Sequence, residues 1–415
     1  MVHLAHVSSS RPHRGATSAA TALQPPTSTR AKNRGDIVRP VATLDEITEA
    51  VLSRQEIARY IEGSHGERGG VARKRIEGYL EELRTTQRYP FYRALKHPLY
   101  PILRKIERIP EHLDAARAAT HGKRVVYASN HKSHTDYLVE LLVLDESGVR
   151  PPIVAAGINL FGGPLGLLHK HVTGAIPIRR NTRDPGYLLT LKAYVAELLR
   201  EHDLFFYPEG GRSYSGELKI PKTGLMHAAL QSEHPHMVVL PTAVAYDLVL
   251  EDHVLSRQRV KRAQRPFSHE LAEMVRYAVG YRSRAFVTFG EPMAVDIDPS
   301  SRREVMDFTY AVMRAIGRLY KVLPTAVVAN AMRPSITRAE LESRTDTVIE
   351  TLRTNGANLG VQSGAEAADC AIELFEARGI VVVEGGRVRV RDRNVLRYYS
   401  RTLDHLLASP SPHTH

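Results

Sequence analysis

The chain reads as an α/β protein: a mixed sheet flanked by helices, with an N-terminal helical subdomain and a C-terminal, mainly helical region carrying a β-hairpin. Three observations predict this. Between Arg124 and Pro292, short apolar runs alternate with helix-length stretches. The glycine-rich and polar clusters of that region follow directly on the apolar runs, where open α/β sheets place their ligand crevice. With 43% hydrophobic and 25% charged residues over 415 positions, the chain has material for a folded core and is neither globally disordered nor a multi-span membrane protein.

Residues 1–40 are expected to form a disordered basic tail, because Met1 to Gly35 contains no Asp or Glu and few groups able to build a core. Residues 43–119 carry helical spacing, as in Ile57, Tyr60, Ile61 and Ile76, Tyr79, Leu80, Leu83, and read as a helical subdomain. Residues 120–300 form the α/β domain. Its strands are read at Val125–Ala128, Ile153–Ala156, Ala175–Ile178, Leu204–Tyr207, Val238–Val244 and Ala285–Phe289, with helices at Thr135–Leu144, Tyr187–Arg200 and Thr223–Gln231. Residues 301–407 follow as helices at Arg303–Leu323, Thr337–Arg353 and Ala365–Arg378, then a hairpin at Ile380–Arg391 turning at Glu384-Gly385-Gly386. Residues 408–415 are read as a second disordered tail.

Lys and Arg together number 57 against 45 Asp and Glu, a net charge of +12 that favours polyanionic partners: nucleic acid, anionic lipid, phosphorylated substrates or an acidic carrier protein. The lone Cys370 excludes an intrachain disulfide and a cysteine-based zinc site. The least charged stretch, Pro151 to Leu168, is broken by Pro, Gly and Asn159, so membrane contact is expected to be peripheral. Basic residues interleaved with aromatics between Arg84 and Ile109 suit a membrane interface, and a basic run at Arg257–Arg265 suits an acidic carrier or anionic lipid. Helices followed by a basic hairpin (Arg387, Arg389, Arg391, Arg393) outline a winged helix, so a basic nucleic-acid-binding protein stands as the rival from a different class.

Four clusters carry chemistry. Ser129-Asn130-His131-Lys132-Ser133-His134-Thr135-Asp136 places His131 and Asp136 in an H-x4-D spacing at a strand end, where a carboxylate one turn into the next helix can fix the imidazole tautomer. Phe206-Tyr207-Pro208-Glu209-Gly210-Gly211-Arg212-Ser213, continuing to Pro221-Lys222-Thr223-Gly224, brings glycines that let backbone approach an anion, with Arg212 and Lys222 as cations. Gly174-Ala175-Ile176-Pro177-Ile178-Arg179-Arg180 ends a strand in two Arg, of which at most one should point into a cleft because successive strand side chains face opposite ways. Val239-Leu240-Pro241-Thr242-Ala243-Val244 reads as a buried strand whose Pro241 suits an edge or a strand start. No G-x-S-x-G, H-E-x-x-H or nucleotide loop is present, so no covalent serine intermediate, metal or cofactor is expected.

In this order the four clusters resemble the glycerolipid acyltransferase superfamily, and within it the bacterial glycerol-3-phosphate acyltransferases of the membrane-bound type. Ala155-Ala156-Gly157-Ile158-Asn159, Phe289-Gly290-Glu291-Pro292 and Leu396-Arg397-Tyr398-Tyr399-Ser400 extend the likeness from about Arg84 to Leu407. The resemblance implies the glycerolipid acyltransferase fold and a 1-O-acyl transfer from acyl-CoA or acyl carrier protein to glycerol 3-phosphate, giving lysophosphatidate, at the cytoplasmic face of the cell membrane. Dihydroxyacetone-phosphate and lysophosphatidate acyltransferases are the near alternatives. It implies His131 as general base and Asp136 as its orienting carboxylate. Arg179, Arg180, Glu209, Gly210, Gly211, Arg212, Ser213 and Lys222 would hold glycerol 3-phosphate, and Pro241 would shape the acyl-donor side. Pro177 and Pro208 depart from the subfamily's pattern, which normally has an aromatic and often an aliphatic residue there.

Overall fold

The computed structural model describes residues 44–63, 69–85, 106–158, 174–232, 234–257 and 283–408. The N-terminal tail, the basic-aromatic stretch over 86–105, the basic run over 258–265 and residues 409–415 lie outside the described residues. The described residues form one compact unit.

The main sheet has eight strands: β1 (Ile106–Glu111), β2 (Arg124–Ser129), β3 (Ile153–Gly157), β4 (Ala175–Ile178), β5 (Leu204–Phe206), β6 (Met237–Tyr246), β7 (Ser283–Phe289) and β8 (Met293–Ala294). Their order is β1-β7-β6-β2-β5-β3-β4, with β8 beside β6. Strands β6, β2, β5, β3 and β4 run parallel; β7 turns antiparallel to β6 and carries β1 parallel to itself. The sheet is therefore mixed.

Strand β2 shows why two helical layers form. Val125 and Tyr127 enter one core, and Val126 and Ala128 the other, because alternate side chains leave a strand on opposite faces. One face is covered by α1 (Leu44–Leu52), α2 (Gln55–Gly63) and α3 (Gly69–Leu83). The other receives α4 (Leu113–Thr120) and α5 (Asp136–Glu146). Helices α6 (Pro185–Leu198) and α7 (Gly224–Leu230) join the first layer, while α8 (Asp252–Arg257) lies on the second. Helix α6 starts where Asp184 accepts the Tyr187 amide and Pro185 supplies a preset φ at the first helical position.

Residues 106–111, within the stretch read as helical, form edge strand β1. An edge strand needs no continuous apolar run: Ile106 is buried while Glu107 is exposed, and Pro110 sits opposite Val287 with no second neighbour demanding its missing N–H. The helix read over Arg303–Leu323 is α9 (Arg302–Leu319), which ends four residues earlier; a further helix, α10 (Pro324–Ala331), follows where Pro324 opens a new first turn.

After α10 come β9 (Ser335–Thr337), α11 (Arg338–Thr354), α12 (Gly364–Ala377), β10 (Val381–Glu384) and β11 (Arg387–Val390), then α13 (Arg393–Arg401) and α14 (Asp404–Leu407). The three short strands pair antiparallel in the order β10-β11-β9, so the winged-helix outline is present. Gly385 and Gly386, with φ of 58° and 71°, make the two-residue turn that matches strand twist.

Candidate active site

A cavity of ≈ 670 Å³ opens at the carboxyl ends of β2, β3, β4 and β5 and is lined there by His131, Gly157, Arg180 and Tyr207. This is the crevice position expected of a parallel sheet. Its walls combine apolar groups, among them Tyr137, Leu141, Val154, Leu191 and Phe206, with Arg179, Arg180, Lys192 and Lys222.

His131 Nδ1 lies 2.9 Å from Asp136 Oδ2. The same oxygen accepts the backbone amides of Lys132 at 2.6 Å and Ser133 at 2.8 Å, and Oδ1 accepts the Tyr246 hydroxyl at 2.8 Å. A carboxylate fixed by so many donors fixes the imidazole in turn, leaving Nε2 as the acceptor nitrogen. The His131 ring also stacks on Tyr207, with centroids 4.1 Å apart and planes 9° from parallel. Burial holds the His131 imidazole well below its usual range, reinforced by the positive charges of Arg212, Arg180, Lys219 and Lys132. It is thus a neutral base near pH 7. Burial pushes Asp136 up to about 6, against the pull of its hydrogen-bond donors.

The strand end itself is pinned by Asn130, whose side chain donates to Val244 O at 2.9 Å and accepts from Val244 N at 2.7 Å, continuing the sheet ladder one residue beyond β2. Glu251, fully buried, accepts the Ser133 hydroxyl at 2.8 Å and the His134 amide at 2.6 Å. Sequence reasoning missed Glu251, because it lies beyond β6 with no local pattern around it.

The two Arg of β4's end part ways. Arg179 forms a bidentate pair with Glu82 of α3, and its guanidinium lies against both the Tyr79 ring at 5.2 Å and the Tyr187 ring at 4.9 Å, which pack edge to face with each other. Arg180 turns toward the glycine loop, its guanidinium against Gly211.

Within Glu209–Ser213, only the glycines line the cavity. Glu209 is fully buried; it accepts the His131 amide at 2.8 Å and the Lys219 amide at 3.2 Å, tying the two loops together. Arg212 is 5% exposed and faces Glu251 at 3.5 Å. Ser213 donates its hydroxyl to Glu217 O at 2.6 Å, and its amide to His131 O at 2.9 Å. Lys222 lines the cavity, its methylenes over Gly210 and its Nζ 3.3 Å from Asn181 Oδ1. Pro241 is buried within β6 rather than at an end, and it is absent from the described cavity lining. Its carbonyl accepts from Gly290, so its nitrogen faces the same flank, where β6 passes from β8 to β7 and no ladder N–H is required.

Two further cations were not legible as site residues. Lys192 of α6 lines the cavity and lies 3.2 Å from His227 Nδ1. Lys219 donates to Gly211 O at 2.8 Å and Arg212 O at 3.4 Å. Among the described residues, no group of His, Cys, Asp and Glu is arranged to hold a metal ion.

The C-terminal module braces the loop from behind. Lys132, 2% exposed, donates to Gly216 O at 2.6 Å, and Arg401 pairs with Glu217. Gly216 has φ of +89°, and a Cβ there would lie 2.0 Å from Tyr398 O of α13, so only glycine fits. The face that α12 would present to a nucleic-acid groove carries exposed Glu366, Asp369, Glu373 and Glu376 and no cation. Arg389 and Arg391 of the wing both pair with Glu384.

Residues 103–245, which hold this imidazole–carboxylate pair and most of the cleft wall, match the Acyltransferase family model. The chain is 34% identical over 233 residues to a glycerol-3-phosphate acyltransferase of Actinobacillus succinogenes, covering 54% of this chain and 28% of that protein. It is 27% identical over 382 residues to one of Aeromonas hydrophila, covering 82% and 47%, and 35% identical over 185 residues to one of Pasteurella multocida, covering 43% and 23%. Residues 103–245 thus carry an Acyltransferase domain, and the chain is similar over a longer stretch to these glycerol-3-phosphate acyltransferases. It spans less than half the length of these curated relatives.

Proposed function

We propose that the protein is a glycerol-3-phosphate 1-O-acyltransferase, moving a fatty acyl group from an acyl thioester to glycerol 3-phosphate to give lysophosphatidate. The observation that carries this reading is His131: its Nδ1 is committed to Asp136 and its ring lines a cleft that is cationic at Arg180 and Lys222 and apolar along Tyr137, Leu141 and Phe206. In the reaction, the acceptor hydroxyl gives its proton to His131 Nε2 as its oxygen attacks the thioester carbonyl. Collapse of the tetrahedral intermediate breaks the carbon–sulfur bond, and the imidazolium returns the proton to the departing sulfur, leaving a thiol and a neutral base. Asp136 stabilises the imidazolium in between. The apolar wall suits the acyl chain and the cations suit the phosphate.

The thioester is acyl-CoA or acyl carrier protein. Work at the cytoplasmic face of the cell membrane, on an anionic lipid surface, completes the reading; among the described residues no helix is long and apolar enough to cross a membrane. The acidic face of α12 and the internal pairing of the wing arginines argue against nucleic acid as the partner.

Thiol release from palmitoyl-CoA tests the proposal, with glycerol 3-phosphate, dihydroxyacetone phosphate or lysophosphatidate added in turn. Release that requires glycerol 3-phosphate and disappears in a folded His131→Ala variant is expected. Equal release by His131→Ala, or release with lysophosphatidate alone, would overturn it.

A further inference from the structure

The paired glycines at the mouth of the site differ in what stands over them. A Cβ on Gly210 would lie 2.6 Å from Lys222 Cδ, so that side of the loop is already filled. A Cβ on Gly211 would instead meet the ends of two cationic side chains at van der Waals distance: Arg180 Nη1 at 3.7 Å, Arg180 Cζ at 3.8 Å and Lys219 Nζ at 3.9 Å. An anion packed against Gly211 on this side would meet a guanidinium and an ammonium, both able to give charge-assisted hydrogen bonds. Two of the three Lys219 ammonium hydrogens are accounted for by Gly211 O and Arg212 O, which hold the group in place and leave one donor.

The charge balance agrees. Arg179 has Glu82 as its counter-ion, whereas among the described residues no carboxylate pairs with Arg180. Lys219 faces the charges of Lys222, Arg180 and Lys132 against the single carboxylate of Glu209. Burial and those like charges push the Lys219 ammonium down, as they do the Arg180 guanidinium beside Arg212. Cations crowded in this way gain most from a ligand with two negative charges.

We infer that Lys219 and Arg180 together hold the acceptor's phosphate over Gly211, and that Lys219 makes the site select a phosphate monoester dianion over an uncharged polyol. The inference rests on the acceptor reading above and assigns it a specificity residue. Gly211 contributes by absence, since a side chain would stand between the loop backbone and the two cations.

The test uses the full chain and compares Lys219→Met, Lys219→Arg and Gly211→Ala with the native protein, reading glycerol 3-phosphate binding by calorimetry and both Michaelis constants by thiol release. Lys219→Met is expected to raise Kd and KM for glycerol 3-phosphate by about tenfold or more, the loss of one hydrogen bond to a charged group. The loss should be larger with glycerol 3-phosphate than with glycerol as acceptor, and larger than any rise in KM for palmitoyl-CoA; Lys219→Arg should recover most of the affinity, and Gly211→Ala should mimic Lys219→Met. Native affinity in Lys219→Met overturns the inference. So does an equal loss with glycerol and glycerol 3-phosphate, or a parallel rise in the donor's KM, because a merely collapsed loop would give either. Lys219-dependent binding of inorganic phosphate, without any glycerol 3-phosphate turnover by the native protein, would sink the acceptor reading while sustaining the anion cradle. No binding of either ligand would sink both.

Discussion

Replacing Asp136 by Asn separates the charge of the orienting carboxylate from its shape. The amide oxygen can take the place of Oδ2, keeping the hydrogen bonds from His131 Nδ1 and the Lys132 and Ser133 amides, while the Tyr246 hydroxyl turns to accept from the new NH2. The tautomer of His131 is then preserved, and what is lost is attraction between carboxylate and imidazolium in the transition state. For the observed 2.9 Å contact the charge centres are about 4 Å apart, which at an effective dielectric of about 20 is worth about 4 kcal/mol. That corresponds to a fall in kcat of about a thousandfold.

Stability should move the other way. Asp136 is lifted to about 6 from its ordinary 3.8. The folded state therefore holds the proton more tightly than the unfolded one, and stability contributed by this group declines as pH rises from about 4 through 6. By neutral pH the ionised carboxylate costs about 3 kcal/mol, at about 1.36 kcal/mol per pKa unit. Asp136→Asn should thus melt no lower than the native protein at pH 7 while turning over about a thousandfold slower. Native kcat should also rise with pH through about 6 and then level, as Asp136 ionises. Stopped-time thiol release across a pH series, with thermal melts on the same samples, reads all three quantities. A variant retaining kcat within about fivefold, or a native acid limb centred above pH 7, would refute the reasoning.

Three further substitutions probe the cleft and its scaffold. Arg180→Ala should raise KM for glycerol 3-phosphate by about 10- to 100-fold, as expected for a charged hydrogen-bond partner. Arg179→Ala should leave that KM within about threefold and instead lower stability by about 1 kcal/mol, since its guanidinium is spent on Glu82, Tyr79 and Tyr187; steady-state kinetics and denaturant melts separate the two, and matched KM effects would contradict the assignment. Gly216→Ala should destabilise by more than about 2 kcal/mol, because both its φ of +89° and Tyr398 O at 2.0 Å from the new Cβ oppose it; a native melting profile would show that α13 does not press on the loop.

The central strands were legible because each is an apolar run enclosed on both faces, which is why β3, β4 and β5 begin where those runs begin. Strand β1 escaped because it has one neighbour and mixed residues. The contact of His131 with Asp136 was legible in their spacing taken together with the strand end and helix start, while the roles assigned to them came from the resemblance. The orientation of Arg179 and Arg180 could be anticipated only in part: alternation says that they diverge, but Glu82, some 97 positions away, decides which one turns from the loop. Glu209 and Arg212 have the types expected of ligand contacts, yet both are turned inward, because a tight glycine loop over a buried floor needs its own counter-charges. Nothing near Glu251 or Lys219 announces a role, since their partners are assembled by tertiary packing.

The support that α13 gives the glycine loop links chemistry to the completion of the chain. Arg401 meets Glu217 across 184 positions, and Tyr398 closes the space behind Gly216. During synthesis the loop emerges well before its brace, so His131 can be translated, folded into its strand and still lack a settled floor. A polypeptide interrupted before residue 398 would carry both His131 and Asp136 and lack the Tyr398 and Arg401 contacts behind the glycine loop.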